Sequence, residues 1–395
     1  QFNDYDVWIQ KARDAVADRP SEENLLPIWQ KKNLTLENHP IFKSLILIRF
    51  VFLIFIIDTL LYNKILSLKK FFLSSLIFSS FVSIDIIFQY IFKFDILGLK
   101  DIGRYYSGPF GDELIAGGYL LNFSFLSFFY IFNENKKLNK PLIILTIAVH
   151  ALAISLAGNR MPFVLFLFGC FLLILFIQKI RIVMFSGLII FFAIFFMIVK
   201  NDNQIKVPYK NFYYQTLYQV KNFKIEKNEE INLEKKEENS SAYKVGPSGK
   251  TKSFLRTTGH ARIYLTAIEM WKENHILGYG LKSFRVKCWE ILPRIKGLSC
   301  ANHPHNYYLE ILSEAGIIGF SLIIIFFIIL LNRSFDFMVK KKYKKNKYFY
   351  LLIKIILIFF IQIWPLKSTG SFFTNWGASL FWLNVAFLQS YLKKN

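Results

Sequence analysis

The stretch "HPHNYYLEILSEAGIIGFSLIIIFFIILL" (residues 303–331) joins a polar segment to a long apolar one. Residues 317–331 contain no charged side chain, whereas the residues before them include two histidines, an asparagine and two glutamates. A helix that crosses the roughly 30 Å hydrocarbon core of a bilayer needs about 20 mainly apolar residues. The stretch therefore predicts a membrane span with a polar cluster at its entrance.

Similar apolar stretches recur along the whole chain. Hydrophobic residues make up 54% of the 395 residues, and phenylalanine alone contributes 44, far from the composition of an ordinary soluble domain. The predicted fold class is all-α, a polytopic integral membrane protein. We predict nine spans, at residues 44–61, 71–97, 114–132, 141–157, 162–180, 185–199, 317–331, 349–366 and 375–391.

The positive charge of the chain is distributed unevenly between its loops. The formal net charge is +22, a balance that can indicate nucleic-acid binding. Cytoplasmic loops of membrane proteins carry an excess of Lys and Arg, and here the cations concentrate in alternate short loops, which orients the chain and argues against a nucleic-acid partner. These cations are Lys64, Lys69, Lys70, Lys136, Lys137, Lys140, Lys179, Arg181, Arg333, those of the run Lys340 to Lys347, Lys393 and Lys394.

The alternation of spans divides the chain into four parts. Residues 1–43 form an N-terminal segment that would lie outside the cytoplasm, yet this stretch contains no apolar signal region that could carry it across the membrane. We therefore expect the chain to lack an odd number of N-terminal spans, with a mistaken span count as the alternative. A bundle of about six spans follows over 44–199, then a large extracytoplasmic segment over 200–316, and a C-terminal bundle of about three spans over 317–395.

The extracytoplasmic segment has two parts of different composition. Residues 206–252 are rich in polar and charged residues with few apolar ones, which predicts a mobile loop. Residues 254–316 form the predicted catalytic part and contain an outer helix, since Ile263, Ala267 and Met270 recur at helical spacing.

Two cysteines, Cys288 and Cys300, lie in this outer segment. An oxidising compartment permits a disulfide between them, which would close a short loop just before the histidines. Sequence alone does not show that their Cα atoms are close enough, so two free thiols remain the alternative.

Three arginines, Arg104, Arg160 and Arg262, lie in separate outward segments. Each could contact lipid phosphate at the membrane interface. Together they could instead form a site for an anion, because a guanidinium recognises phosphate oxygens with two parallel hydrogen bonds. Asp112 and Glu113, at the start of a predicted span, are supporting candidates.

The histidines His303 and His305 flank a proline at the start of a predicted helix. Asn306 is a good N-cap for that helix and Gly316 marks its end. A helix N-terminus favours neutral imidazole, which suits His305 for work as a general base. No further cluster of metal-ligating residues is apparent, so we do not expect a metal. The alternative is that both histidines only hydrogen-bond loop carbonyls.

Several stretches resemble a known family of membrane enzymes. "HPHNYYLEILSEAGIIGF", preceded by "GHARIYLTAIEMWKENHILGYG", resembles the O-antigen ligase and polymerase superfamily of multi-span bacterial glycan transferases. "RYYSGPFGDELIAGGYL", the "GNR" turn and "WPLKSTGSFFTNW" are similar to its polymerase-like branch. The resemblance covers most of the chain from about residue 44 onward.

The resemblance implies a GT-C-type helical bundle in the bacterial inner membrane, with an active site that faces the periplasm. The donor would be a glycan on undecaprenyl diphosphate, used without metal or cofactor. His305 matches the family's essential histidine, and Arg160 and Arg262 match its diphosphate-binding arginines, with Arg104 less securely placed. Glu310 and Asn306 belong to the most specific part of the motif, and His303 is expected to be scaffold.

The expected function is an inverting glycosyltransferase that polymerises repeat units of O-antigen or a similar surface polysaccharide. One alternative is an O-antigen ligase that joins the polymer to lipid A-core. Another is a transporter or flippase of an anionic lipid-linked substrate, although the internal repeats common in transporters are not visible. Expected partners are membrane lipids, the lipid-linked oligosaccharide, and a chain-length regulator and flippase of the same pathway.

Overall fold

The computed structural model describes residues 45, 47–100, 105–133, 140–211, 213, 259–294, 298–341, 347–368 and 370–394. In these ranges the regular structure is helical, apart from one isolated bridge between Phe94 and Lys100. The α-helices are α1 (Ile48–Tyr62), α2 (Leu68–Phe92), α3 (Ala116–Asn133), α4 (Lys140–Leu156), α5 (Arg160–Phe176), α6 (Arg181–Asn201), α7 (Gly259–Glu273), α8 (Phe284–Ile291), α9 (Tyr307–Lys341), α10 (Lys347–Gln362) and α11 (Asn375–Lys394).

Each of the nine apolar stretches coincides with one of these helices. Three helical segments, Leu68–Phe92, Gln178–Asn201 and Tyr307–Phe337, are long and apolar enough to cross a membrane. Shorter apolar helices occupy Ala116–Phe132, Lys140–Leu156 and Arg160–Phe176. The prediction of an all-α, multi-pass membrane protein is confirmed.

Two predictions fall largely on parts of the chain that the structure does not describe. The N-terminal segment 1–43 lies wholly outside the described residues. Of the predicted mobile loop 206–252, residues 206–211 continue a helical segment that begins at residue 203. Apart from residue 213, the rest of that loop lies outside the described ranges, so its predicted mobility stays a prediction.

The membrane helices pack through aromatic side chains. The helix α2 packs on α3 and α4, α4 packs on α6, and α1 packs on α11. Between α3 and α5, the rings of Phe125 and Phe166 lie 5.4 Å apart and those of Phe128 and Phe166 lie 6.2 Å apart. The high phenylalanine content therefore fills the contacts between helices, where aromatic pairs add to the burial of apolar area.

The helix α9 is divided at Gly316. The backbone there has φ 64° and ψ −170°, which is not helical, so residues 307–315 form a short helix and the apolar span begins at Ile317. The predicted helix end at Gly316 is confirmed. The Ile317 N–H donates to the His275 carbonyl at 2.9 Å and the Gly280 N–H donates to the Glu314 carbonyl at 2.8 Å. The turn after α7 is thereby tied to the entrance of the span.

Candidate functional site

The short helix at the start of α9 is capped by Asn306, as its sequence predicts. The Asn306 side-chain oxygen accepts hydrogen bonds from the Tyr308 and Leu309 N–H groups at 3.0 and 3.2 Å. Its amide group also donates to the Pro365 carbonyl at 2.7 Å. Asn306 therefore starts the helix and fixes it to the loop between α10 and α11.

His305, directly before this cap, has a left-handed backbone with φ 57°. A positive φ is uncommon for residues other than glycine, and such conformations persist where the surroundings hold them. The surroundings here are rigid, because the next residue is bonded both to the helix and to Pro365. The backbone therefore fixes the direction in which the Cα–Cβ bond of His305 leaves the chain.

Three histidine rings come together at this point. The rings of His303 and His305 lie 4.2 Å apart, and the ring of His260 meets that of His305 edge-on at 5.1 Å. His260 lies near the N-terminus of α7, and partial burial lowers its pKa. No role was predicted for His260 from the sequence, where its position two residues before Arg262 in "GHARIYL" is the one feature that could have indicated it.

The histidine cluster opens into a cavity of about 800 Å³. This volume lies in the range of ligand-binding sites. The wall combines residues of α3, α5, α7, the start of α9, the end of α10, the loop between α10 and α11, and α11. It is formed by Tyr105, Glu113, Leu114, Ile115, Gly118, Leu121, Asn122, Asn159, Met161, Pro162, Leu165, His260, His303, His305, Tyr307, Gln362, Lys367, Ser368, Gly370, Ser371, Thr374, Trp376, Gly377, Leu380 and Phe381.

Only some of the acidic and basic residues predicted for the site belong to the described wall of this cavity. Glu113 lies in the wall, whereas its neighbour Asp112 is exposed and is absent from the described wall residues. Arg160 and Arg262 are likewise absent from the described wall, although Asn159 and Met161, on either side of Arg160, belong to it. Arg104 lies outside the described residues.

Glu310 connects the short helix to the loop between α10 and α11. Its side chain is 2% exposed. One carboxylate oxygen accepts a hydrogen bond from the Ser371 hydroxyl, and the other accepts from the Phe372 N–H at 2.6 Å. Glu310 is therefore placed to position the loop that forms one side of the cavity.

Glu314, one turn further along, fixes the short helix to α8. Its carboxylate accepts hydrogen bonds from the Lys282 N–H at 2.5 Å and from the Phe284 N–H at 3.0 Å. Since these N–H groups lie at the start of α8, the carboxylate supplies partners to backbone donors that a helix N-terminus leaves unbonded.

The cysteine pair lies on the approach to the histidines. The structure bonds Cys288 of α8 to Cys300, with Cα atoms 5.6 Å apart, which is the pairing that the sequence analysis considered. The Ser299 carbonyl also accepts a hydrogen bond from the Thr266 hydroxyl of α7 at 2.8 Å. The segment that leads to His303 is therefore held to both outer helices.

Lys367 is a second wall residue without a role in the sequence analysis. It is buried, and its Nζ lies 5.0 Å from the centre of the Tyr307 ring. Burial lowers its pKa to about 7. One sequence feature could have pointed to Lys367: it carries the only charge in "WPLKSTGSFFTNW", a stretch between two membrane helices.

A metal site is a further chemical option for a cluster of histidines. Within the ranges that the structure describes, no group of three or more His, Cys, Asp or Glu side chains is arranged to hold a metal ion. Independence from metal therefore stays a prediction.

One comparison with known proteins gives a match. Residues 142–324 match the family model Wzy_C, whose description is O-antigen ligase. The matched range runs from α4 into the span of α9, and it includes all three clustered histidines. No curated protein and no solved structure matches the chain.

Proposed function

We propose, on the premise that residues 142–324 form an O-antigen ligase family domain, that this membrane protein is an inverting glycosyltransferase that uses an undecaprenyl diphosphate-linked glycan. The family implies glycan transfer of the ligase or polymerase type and a lipid-linked glycan substrate. The donor carrier, the reacting residues and a site that faces the periplasm are parts of the proposal.

The observation that carries the proposal is the histidine cluster in the wall of the 800 Å³ cavity. In the proposed reaction, His305 takes the proton from a hydroxyl of the acceptor sugar. The hydroxyl oxygen forms a bond to the anomeric carbon of the donor, and the bond from that carbon to the diphosphate breaks. The electron pair leaves with the diphosphate, and attack from the opposite face inverts the anomeric configuration. General-base catalysis of this kind contributes about 10²–10⁴ in rate.

The departing diphosphate carries negative charge, which cations at the site would stabilise. Arg160 and Arg262 are our proposed partners for it, together with Arg104. Arg160 stands between two wall residues of the cavity, and Arg262 lies two residues after His260 on α7. A guanidinium side chain is long enough to reach from such positions toward a bound substrate.

Polymerisation of repeat units is the transfer that we favour over ligation to lipid A-core. The polymerase-like stretch "GPFGDELIAGGYL" supplies Glu113, Leu114, Ile115 and Gly118 to the cavity wall. This stretch therefore lies where it can contact the acceptor. Transport of a lipid-linked substrate is less favoured because the family is one of glycan transfer. Under the proposal, a flippase supplies the donor and a chain-length regulator acts on the product.

The experiment is to express the His305→Ala variant in a deletion strain and to analyse surface and carrier-linked glycans. Loss of a polymerase leaves single repeat units on the surface anchor, whereas loss of a ligase leaves long chains on the carrier. Loss of a transporter leaves substrate on the cytoplasmic leaflet. His275→Ala is the matched control, since His275 is exposed and does not belong to the described cavity wall. Unchanged glycan in His305→Ala would refute the catalytic role.

A further inference from the structure

Lys367 is a buried ammonium group in the wall of the histidine cavity. Its side chain is 9% exposed. Its Nζ approaches the Ile361 carbonyl at 3.5 Å and the face of the Tyr307 ring at 5.0 Å. Lys367 takes part in none of the ion pairs found between described residues.

A buried charge is costly unless an opposite charge or several hydrogen bonds compensate it. The two buried carboxylates of the short helix have more partners than Lys367: Glu310 and Glu314 both accept backbone hydrogen bonds, and the charge of Arg285 acts on both, although burial still raises the pKa of each. Within the described part of the chain, Lys367 has only a long contact to one carbonyl and a contact with one aromatic face. These stabilise a buried ammonium group less than an opposite charge would. The lowered pKa of Lys367, about 7, has burial as its cause and agrees with this view.

The rest of the wall suits an anion. Ser368 and Tyr307 supply hydroxyl groups beside Lys367, and the histidines supply ring nitrogens, whereas the Ser371 hydroxyl donates to Glu310. Glu113 supplies the one carboxylate among the described wall residues, and its side chain is exposed. A lysine ammonium among neutral hydrogen-bond donors is a common phosphate-binding arrangement.

We propose that Lys367 binds an oxyanion of the substrate inside the histidine cavity, and that this anion provides the charge that the protein leaves unpaired. The proposal rests on the proposed function, which supplies two sources of the oxyanion. One is the diphosphate of the lipid carrier, and the other is a carboxylate of an acidic sugar in the glycan. Lys367 would then act together with the arginines proposed for the diphosphate.

The test measures binding to the purified full chain in detergent. The probes are undecaprenyl diphosphate, the neutral lipid undecaprenol, and a short oligogalacturonate as a soluble acidic glycan. The variants are Lys367→Met, which removes the charge, and Lys367→Arg, which keeps it. Loss of a charge-assisted hydrogen bond predicts that Lys367→Met weakens undecaprenyl diphosphate binding by about tenfold or more. Lys367→Arg and the binding of undecaprenol should stay near the wild-type values.

The outcomes distinguish the carrier diphosphate from a sugar carboxylate as the source of the oxyanion. They also distinguish the role proposed for Lys367 from that proposed for His305. A loss confined to oligogalacturonate assigns the oxyanion to the glycan instead of the carrier. If Lys367→Met binds both anions as the wild type does, the proposal is wrong. Should Lys367→Met not fold, Lys367→Gln provides the neutral side chain with a polar end. Because the readout is binding, failure here leaves the catalytic role of His305 to its own experiment.

Discussion

The ring of His260 packs edge-on against the ring of His305, with ring centres 5.1 Å apart. This contact joins the outer helix α7 to the start of α9, two elements separated in sequence by α8 and the disulfide. It also places a second imidazole beside the proposed base. His260 is therefore our candidate for a positioning residue that orients His305.

Removal of His260 should slow transfer without abolishing it. For His260→Ala we expect kcat to fall by roughly tenfold to a hundredfold, because a misplaced base loses part of its effect. The KM for the lipid-linked donor should change little. Kinetics of carrier-linked product formation check this, with His275→Ala as the control outside the described cavity wall. A KM effect with kcat unchanged would mean that His260 binds substrate instead.

Asn306 has two bonding roles that substitutions can separate. Asn306→Ala loses the cap, at a cost of about 1 kcal/mol, and also loses the amide bond to the Pro365 carbonyl. Asn306→Asp keeps the cap but cannot donate to that carbonyl. Compared with Asn306→Ala, we expect Asn306→Asp to regain most of the wild-type thermal stability in detergent. It should regain less of the transfer activity. Equal recovery of both would show that the bond to Pro365 does not matter for the site.

Gly316 occupies a backbone conformation that other residues rarely adopt. A Cβ atom at this position would overlap the Ile276 carbonyl, and φ is 64°. For Gly316→Ala we expect a loss of about 1–3 kcal/mol of stability, seen as a lower midpoint of thermal unfolding. Gly370→Ala is the matched control, since a Cβ there meets no atom within 4 Å. Similar midpoints for both variants would contradict the account of the helix break.

The affinity for undecaprenyl diphosphate should depend on pH through Lys367. Because burial lowers the pKa of Lys367 to about 7, its ammonium form is present below that pH and is lost above it. Binding by the wild type should weaken from about pH 6 to about pH 9 more steeply than binding by Lys367→Arg, which stays charged. Equal slopes would contradict this. The other titratable groups of the described wall are the same in the wild type and in Lys367→Arg, so their titration affects both slopes alike. These groups are His260, His303, His305, Glu113, Tyr105 and Tyr307.

The sequence predicted the helices and the local features of the site well. Long apolar runs predict spans because no other local structure satisfies the backbone in lipid. Asn306 and Gly316 were predictable because capping depends on neighbouring residues. Sequence position and compartment left two alternatives for Cys288 and Cys300, a disulfide or two free thiols, and the structure bonds the pair.

The cavity itself could not be predicted in full, because it depends on contacts between distant segments. His260 and Lys367 reach the wall from α7 and from the loop before α11. Periodicity and charge patterns along one segment carry no information about such meetings. For the same reason, the sequence grouped Arg160 and Arg262 with His305 by resemblance, whereas the described wall of the cavity contains neither arginine.

The most direct test of the account is transfer by the purified chain, measured on an undecaprenyl diphosphate-linked repeat unit. The account predicts that the wild type forms longer carrier-linked glycans with an inverted anomeric configuration at each new bond. His305→Ala should lower the rate by about 10²–10⁴, while His275→Ala keeps it. A folded His305→Ala variant with wild-type rates, or retention of the anomeric configuration, would contradict the account.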